Sequence, residues 1–192
     1  MSQHGPYEDV TKYGFLVEPR YYFYGWSAEP RILGRPSAIR ALKRAEAALP
    51  KGYRFKIWDF QRPLSVQLQM IQSFTRRMEA AHPGSPPDKI QELVDKFVAQ
   101  PFPDEQVVRR DCHRNGGAVD LIITDMKGNE LYMGTDHDDL TDRAASLYYE
   151  KLKNLTPVQE DARRNRQMLR EVMIKAGWEM LPSEWWHWST VE

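Results

Sequence analysis

Cys112-His-Arg-Asn-Gly-Gly-Ala-Val-Asp-Leu-Ile-Ile-Thr124 is the stretch on which the fold turns. Its second half, from Ala118 to Thr124, is an apolar run of strand length, interrupted by one carboxylate, Asp120. A carboxylate flanked by Val119 and Leu121 is costly to bury unless it is paired or bound to a metal. The Gly116-Gly117 pair lets the backbone bend sharply, so the His113 imidazole can return towards Asp120. Imidazole with carboxylate suits a divalent zinc ion. Two other readings of Asp120 stay open: it faces solvent on an antiparallel strand, or it pairs with one of the arginines.

Outward from this strand the pattern is short strands among helices. Met126-Lys-Gly-Asn129 reads as a turn and Glu130-Leu-Tyr-Met133 as a partner strand. Upstream, Tyr53-Arg-Phe-Lys-Ile-Trp-Asp59 alternates apolar and polar residues as a half-buried strand does. Ser37 is placed to cap a helix running to about Leu49. After Pro63, the residues Leu64, Leu68, Ile71, Thr75 and Met78 mark the face of a second helix. A third opens at Pro87 and carries Ile90, Leu93, Val94, Phe97 and Val98, ending at Pro101-Phe-Pro103. Thr141 is read as the cap of a helix to Leu152. Thr156-Pro-Val-Gln159 is a capping box that opens a helix stopping at Gly177. Two strands follow, near Trp178–Leu181 and Trp185–Thr190. Residues 1–36, rich in tyrosine and proline, read as irregular with one or two short strands. Strands in hairpin-like pairs with helices between them predict an α+β fold, a single domain over residues 1–192.

Composition narrows the function. The chain has 192 residues, with 27 basic side chains balancing 27 acidic ones, which argues against a protein whose main task is neutralising phosphates. A single cysteine, Cys112, excludes an internal disulfide framework and a multi-cysteine zinc ribbon; it reads as a small packing residue. The N-terminal stretch has no apolar run and no segment approaches about 18 consecutive apolar residues, so the expectation is a cytoplasmic protein with no membrane partner. Oligomeric state is not readable.

Ser183-Glu-Trp-Trp-His-Trp188 surrounds one acid and one imidazole with three tryptophans. Catalytic zinc sites keep three protein ligands and an open position, with a nearby carboxylate as general base. His113, Asp120 and His187 supply such a ligand set, with Glu184 as the base. Residues three apart on a straight strand point to opposite faces, so this reading requires a bend between Glu184 and His187. The competing reading is an aromatic core strand whose Glu and His reach the surface. Arg62, in Ile57-Trp-Asp-Phe-Gln-Arg-Pro63, sits at a strand exit where a guanidinium can stabilise an oxyanion.

In order, the segments are an Arg-Pro after a strand, a His and an Asp seven residues apart, Met133-Gly-Thr-Asp-His-Asp138 and Glu184-Trp-Trp-His187. Together they resemble the D-alanyl-D-alanine dipeptidases, zinc enzymes best known from vancomycin resistance. The resemblance spans roughly Trp58 to Trp188 and includes Asn165-Arg-Gln-Met-Leu-Arg170. It implies an α+β fold with one zinc on a small antiparallel sheet, held by His113, Asp120 and His187, with Glu184 activating water and Arg62 steadying the oxyanion. Asp138 matches the aspartate that helps bind the substrate's free ammonium, and Tyr21 a pocket tyrosine. Two positions depart from the pattern: Gln61 where relatives commonly have Tyr, and Asp111 where they commonly have Ser near the substrate. An extra carboxylate at Asp111 strengthens ammonium binding or alters the preferred dipeptide. The expected activity is hydrolysis of D-Ala-D-Ala or a similar small dipeptide. The alternatives are a related zinc carboxypeptidase acting on cell-wall peptides and a metal-binding module without catalysis. No nucleic-acid motif is present.

Overall fold

In the computed structural model the described residues are 6–96, 98, 100, 112–139 and 141–190. Expectations attached to Phe97, Pro101–Pro103 and Asp111 lie outside them. Ala118–Asp125 (β5) is the axis of a five-stranded sheet, buried from Ala118 to Thr124 as its continuous apolar run requires. Tyr53–Asp59 (β4) pairs antiparallel to it on one side and Glu184–Thr190 (β7) on the other. Leu16–Val17 (β2) adds to β4 in parallel, and Trp178–Leu181 (β6) completes the other edge as a hairpin with β7. A separate two-stranded ribbon joins Glu8–Asp9 (β1) to Leu33–Gly34 (β3). The mixture of a largely antiparallel sheet with segregated helices is the expected α+β class.

Helices Pro36–Ala47 (α2) and Pro157–Lys175 (α5) bury Ile39, Leu42, Leu169 and Met173 in one core with Phe55, Ile57, Leu121 and Ile123 of the sheet. Helices Leu64–Ala81 (α3) and Pro87–Asp95 (α4) form a second cluster with Tyr21, which lies in the short helix Arg20–Phe23 (α1). The Thr156 capping box is present as read, with Thr156 accepting from the Gln159 backbone and Gln159 from that of Thr156. None of the helices among the described residues is long and apolar enough to cross a membrane.

Four expectations are corrected. Pro36, not Ser37, opens α2: proline occupies the first turn with Arg35 at the cap position. In α3 the buried face is Val66, Met70 and Phe74, whereas Leu64 and Leu68 are about two-fifths exposed (41% and 44%). Two apolar stripes overlap on this helix, and packing against α4 selects the one that periodicity did not favour. Glu130–Met133 is no full strand: it contributes one bridge, Thr124 to Glu130. The helix expected from Thr141 is only a three-residue turn, Asp142–Ala144, followed by irregular chain. Its carbonyls are taken by a side chain: Arg166 of α5 donates to the oxygens of Met133, Arg143 and Ala145 at 2.7, 2.9 and 2.8 Å.

Candidate metal centre

Sheet register lines up three of the relevant side chains. Asp120 of β5 stands opposite Asp59 of β4 and His187 of β7, so the three form a row across the sheet. An irregularity between Ile57 and Asp59 brings Asp59 into that row. On β7 the bend required by the sequence is present: Met180 faces Trp188, and the next β6 residue, Leu181, faces Glu184. The pairing with β6 thus skips Trp185, Trp186 and His187, and Glu184 and His187 escape strict alternation.

His113 enters from a tight turn just before β5. Asn115 accepts from the backbone N–H groups of Cys112 and Gly117 at 3.1 and 3.0 Å, locking that turn. Gly116 closes it at φ +69°, where a Cβ would lie 2.9 Å from the Arg35 nitrogen. The turn is stitched to the rest of the fold by Arg62 N–H to the His113 carbonyl at 2.9 Å and Arg35 N–H to that of Gly116 at 3.1 Å.

Three donor atoms converge. His113 Nε2 lies 3.2 Å from Asp120 Oδ1 and 3.0 Å from His187 Nδ1, and the latter is 3.1 Å from Asp120 Oδ1. His113 donates its Nδ1–H to the Phe60 carbonyl at 2.7 Å, with Asp59 Oδ2 at 3.1 Å, so Nε2 presents its lone pair. The other His187 nitrogen lies 3.3 Å from Ser189 Oγ, a hydroxyl that can accept its proton and leave Nδ1 free to do the same. Three acceptors facing one another in a buried site call for a cation. Tetrahedral zinc, with bonds of about 2.0–2.1 Å, asks for donors about 3.3 Å apart, close to what is observed. Residues and spacing fit the metal.

The surroundings set the charge states. Burial alone would raise the Asp120 carboxyl; the neighbouring His113, with His137 and His187 beside it, holds it well below the usual carboxylate range. Arg62 is buried and donates through Nε to Asp59 at 2.7 Å, through NH1 to Gln67 at 3.0 Å and through NH2 to Asp120 Oδ2 at 2.8 Å. The arginine-paired reading of Asp120 therefore holds together with the ligand reading, because the two use different carboxylate oxygens. Burial pushes Glu184 up to about 7; His187 and Arg62 pull it down, while Asp120 and Asp138 push it up. The Tyr21 phenol, raised by burial, lies under the Arg62 guanidinium at 4.9 Å and donates to Asp138 Oδ2 at 3.4 Å. Asp138 adopts φ +57°, an uncommon backbone for a residue other than glycine.

Of the side chains singled out from sequence, the structure brings His113, Asp120, His187, Glu184, Arg62, Asp138 and Tyr21 to one place, and Asp111 lies outside the described residues. Sequence reading missed Asp59 and Asn115. Asp59 looks like an ordinary polar strand end until its register with Asp120 is known. Asn115, between His113 and the glycine pair, could have been read as a turn-locking side chain.

Comparison with known proteins places the chain in a family. A family model described as D-ala-D-ala dipeptidase, peptidase family M15, matches residues 25–192. The D-alanyl-D-alanine dipeptidase of Streptomyces coelicolor is 30% identical over 164 residues, covering 84% of this chain and 75% of the relative. That of Escherichia coli K12 is 29% identical over 160 residues, covering 83% and 67%. Among solved structures, the vancomycin-resistance D,D-pentapeptidase VanY of a VanB-type cassette, in complex with Zn(II), matches with a TM-score of 0.54 and 13% identity. That match covers 88% of this chain and 82% of the other and supports the shared fold. With the family model matching most of its length, the chain belongs to the D-Ala-D-Ala dipeptidase family.

Proposed function

We propose that this protein is a zinc-dependent dipeptidase whose metal is held by His113, Asp120 and His187, one ion per chain. The observation that carries the reading is the triangle of three acceptor atoms beside a Glu184 carboxyl raised to about 7. Zinc bound there supplies Lewis acidity, making water acidic enough to lose a proton near neutral pH and polarising the peptide carbonyl. Glu184 takes the proton from the attacking water and passes it to the leaving amine. Arg62 anchors Asp120 and retains a second NH2 hydrogen for the oxyanion. Asp138, oriented by Tyr21, holds the substrate's ammonium.

An ammonium subsite restricts cleavage to peptides with a free amine close to the scissile bond. D-Ala-D-Ala is the leading substrate. The test is D-alanine release from D-Ala-D-Ala and from its N-acetylated form by zinc-loaded protein. Release from the free dipeptide with at least about a hundredfold lower kcat/KM on the blocked one is expected, since acetylation removes the positive charge that the Asp138 carboxylate would hold and adds bulk at that subsite. Equal rates on both would replace the dipeptidase reading with a carboxypeptidase.

A further inference from the structure

The proposed chemistry leaves one buried imidazole without a task. His137 has no exposed side-chain surface and is wedged among Tyr21, Trp58 and Trp186, with ring centroids 6.0, 4.9 and 5.5 Å away. A phenylalanine would fill that cage as well, so packing does not explain a histidine there, and burying its nitrogens is costly unless they are used. Nε2 lies 3.4 Å from Asp120 Oδ2, the carboxylate oxygen outside the donor triangle, which also receives Arg62. Nδ1 has no hydrogen-bond partner and stands 3.4 Å from Asp138 Oδ2. Both facing groups are acceptors, and the hydrogen-bonded contact is the one to Asp120. The proton therefore belongs on Nε2. His137 also directly precedes Asp138, whose left-handed backbone must be held by its neighbours. Its own N–H adds to that hold by donating to Asp136 Oδ1 at 2.7 Å.

We infer that His137 is a positioning residue with two arms: its Nε2–H orients the ligand Asp120, and its caged ring fixes the adjacent Asp138. The first arm rests on the metal centre alone, and the second rests on the reading of Asp138 as the ammonium site. The two arms link the metal to the substrate's amine through one side chain.

The experiment compares His137→Phe, His137→Gln and His137→Ala. Zinc affinity is read by chelator competition, the visible spectrum after cobalt substitution, and kcat and KM at saturating zinc. His137→Phe keeps the ring and loses the donor, so zinc binding should weaken by about tenfold or more and the cobalt bands should shift. His137→Gln, which places an amide N–H near Nε2, should recover affinity to within about threefold of wild type. His137→Ala empties the cage as well, and KM should rise further than in His137→Phe. Wild-type affinity with unshifted cobalt bands in His137→Phe would overturn the first arm. So would His137→Gln binding as weakly as His137→Phe. Equal KM in the Phe and Ala variants would overturn the second. If wild type itself cleaves no dipeptide, the functional reading fails, while the zinc and cobalt measurements still decide the role of His137.

Discussion

Glu184 combines a raised carboxyl with a place beside the proposed ligand His187, and both its proposed chemistry and its cost follow from burial. As the only side chain assigned to move the proton, its replacement in Glu184→Gln should retain zinc and lower kcat by about 10²–10⁴-fold, read by steady-state assay. The same shift makes a prediction about stability in the metal-free protein. The folded state keeps the Glu184 proton up to about pH 7, whereas the unfolded chain releases it near 4.5. The contribution is therefore full below pH 4.5 and is lost as pH rises through 7. Denaturation of metal-free protein should show Glu184→Gln gaining on wild type between pH 5 and 8, by up to about 3 kcal/mol. A difference that does not vary with pH would contradict the burial of this group. Asp59 offers a second residue-scale test. It touches both His113 and Arg62, so Asp59→Asn should weaken zinc binding by about 10–100-fold in chelator competition while leaving the three ligands in place. The proposed ligands stood out in the sequence because an aspartate inside Val119–Ile123 and a histidine among tryptophans are chemically out of place. Asp59 was not, because its partner is set by an irregularity at Trp58 that no local pattern announces.

Elements were legible where the signal was local. The Thr156 box, Pro87 and the alternation of β4 each fixed a boundary through capping or pleating. They were not legible where a distant side chain decided the outcome. The chain after Thr141 has a helix-like start, yet its carbonyls go to Arg166, a residue of α5. Arg166 is buried, and burial lowers its guanidinium to about 10, still charged at neutral pH. Its neighbour Asn165 donates to the Tyr132 carbonyl at 2.9 Å, so adjacent residues of α5 hold the segment leading into Asp138. Gly134 in that segment sits at φ +89° against the Tyr149 ring, where a Cβ has no room. Urea denaturation should rank the two ends of this argument. Thr156→Ala loses a cap worth about 1 kcal/mol. Arg166→Met leaves three carbonyls without their donor and should cost more than about 3 kcal/mol. The opposite ranking would mean that the irregular segment does not depend on α5.

At the scale of the whole molecule, the site lies where two packed clusters meet. The sheet with α2 and α5 supplies the ligand row, and α3 with α4 closes over Tyr21 and Arg62. Fold class was readable from strands and helices in sequence order. The strand order β2-β4-β5-β7-β6 was not, because pairing between residues as distant in the chain as Tyr53 and Asp125 leaves no periodic trace. That order is what places His187, near the end of the chain, beside Asp120. The most direct test of the account is the zinc content of the dialysed protein and of His113→Ala, measured by elemental analysis alongside a circular dichroism check that the variant is folded. The account predicts about one zinc per chain in the wild type and loss of that zinc in the folded variant. Undiminished zinc in His113→Ala would contradict it.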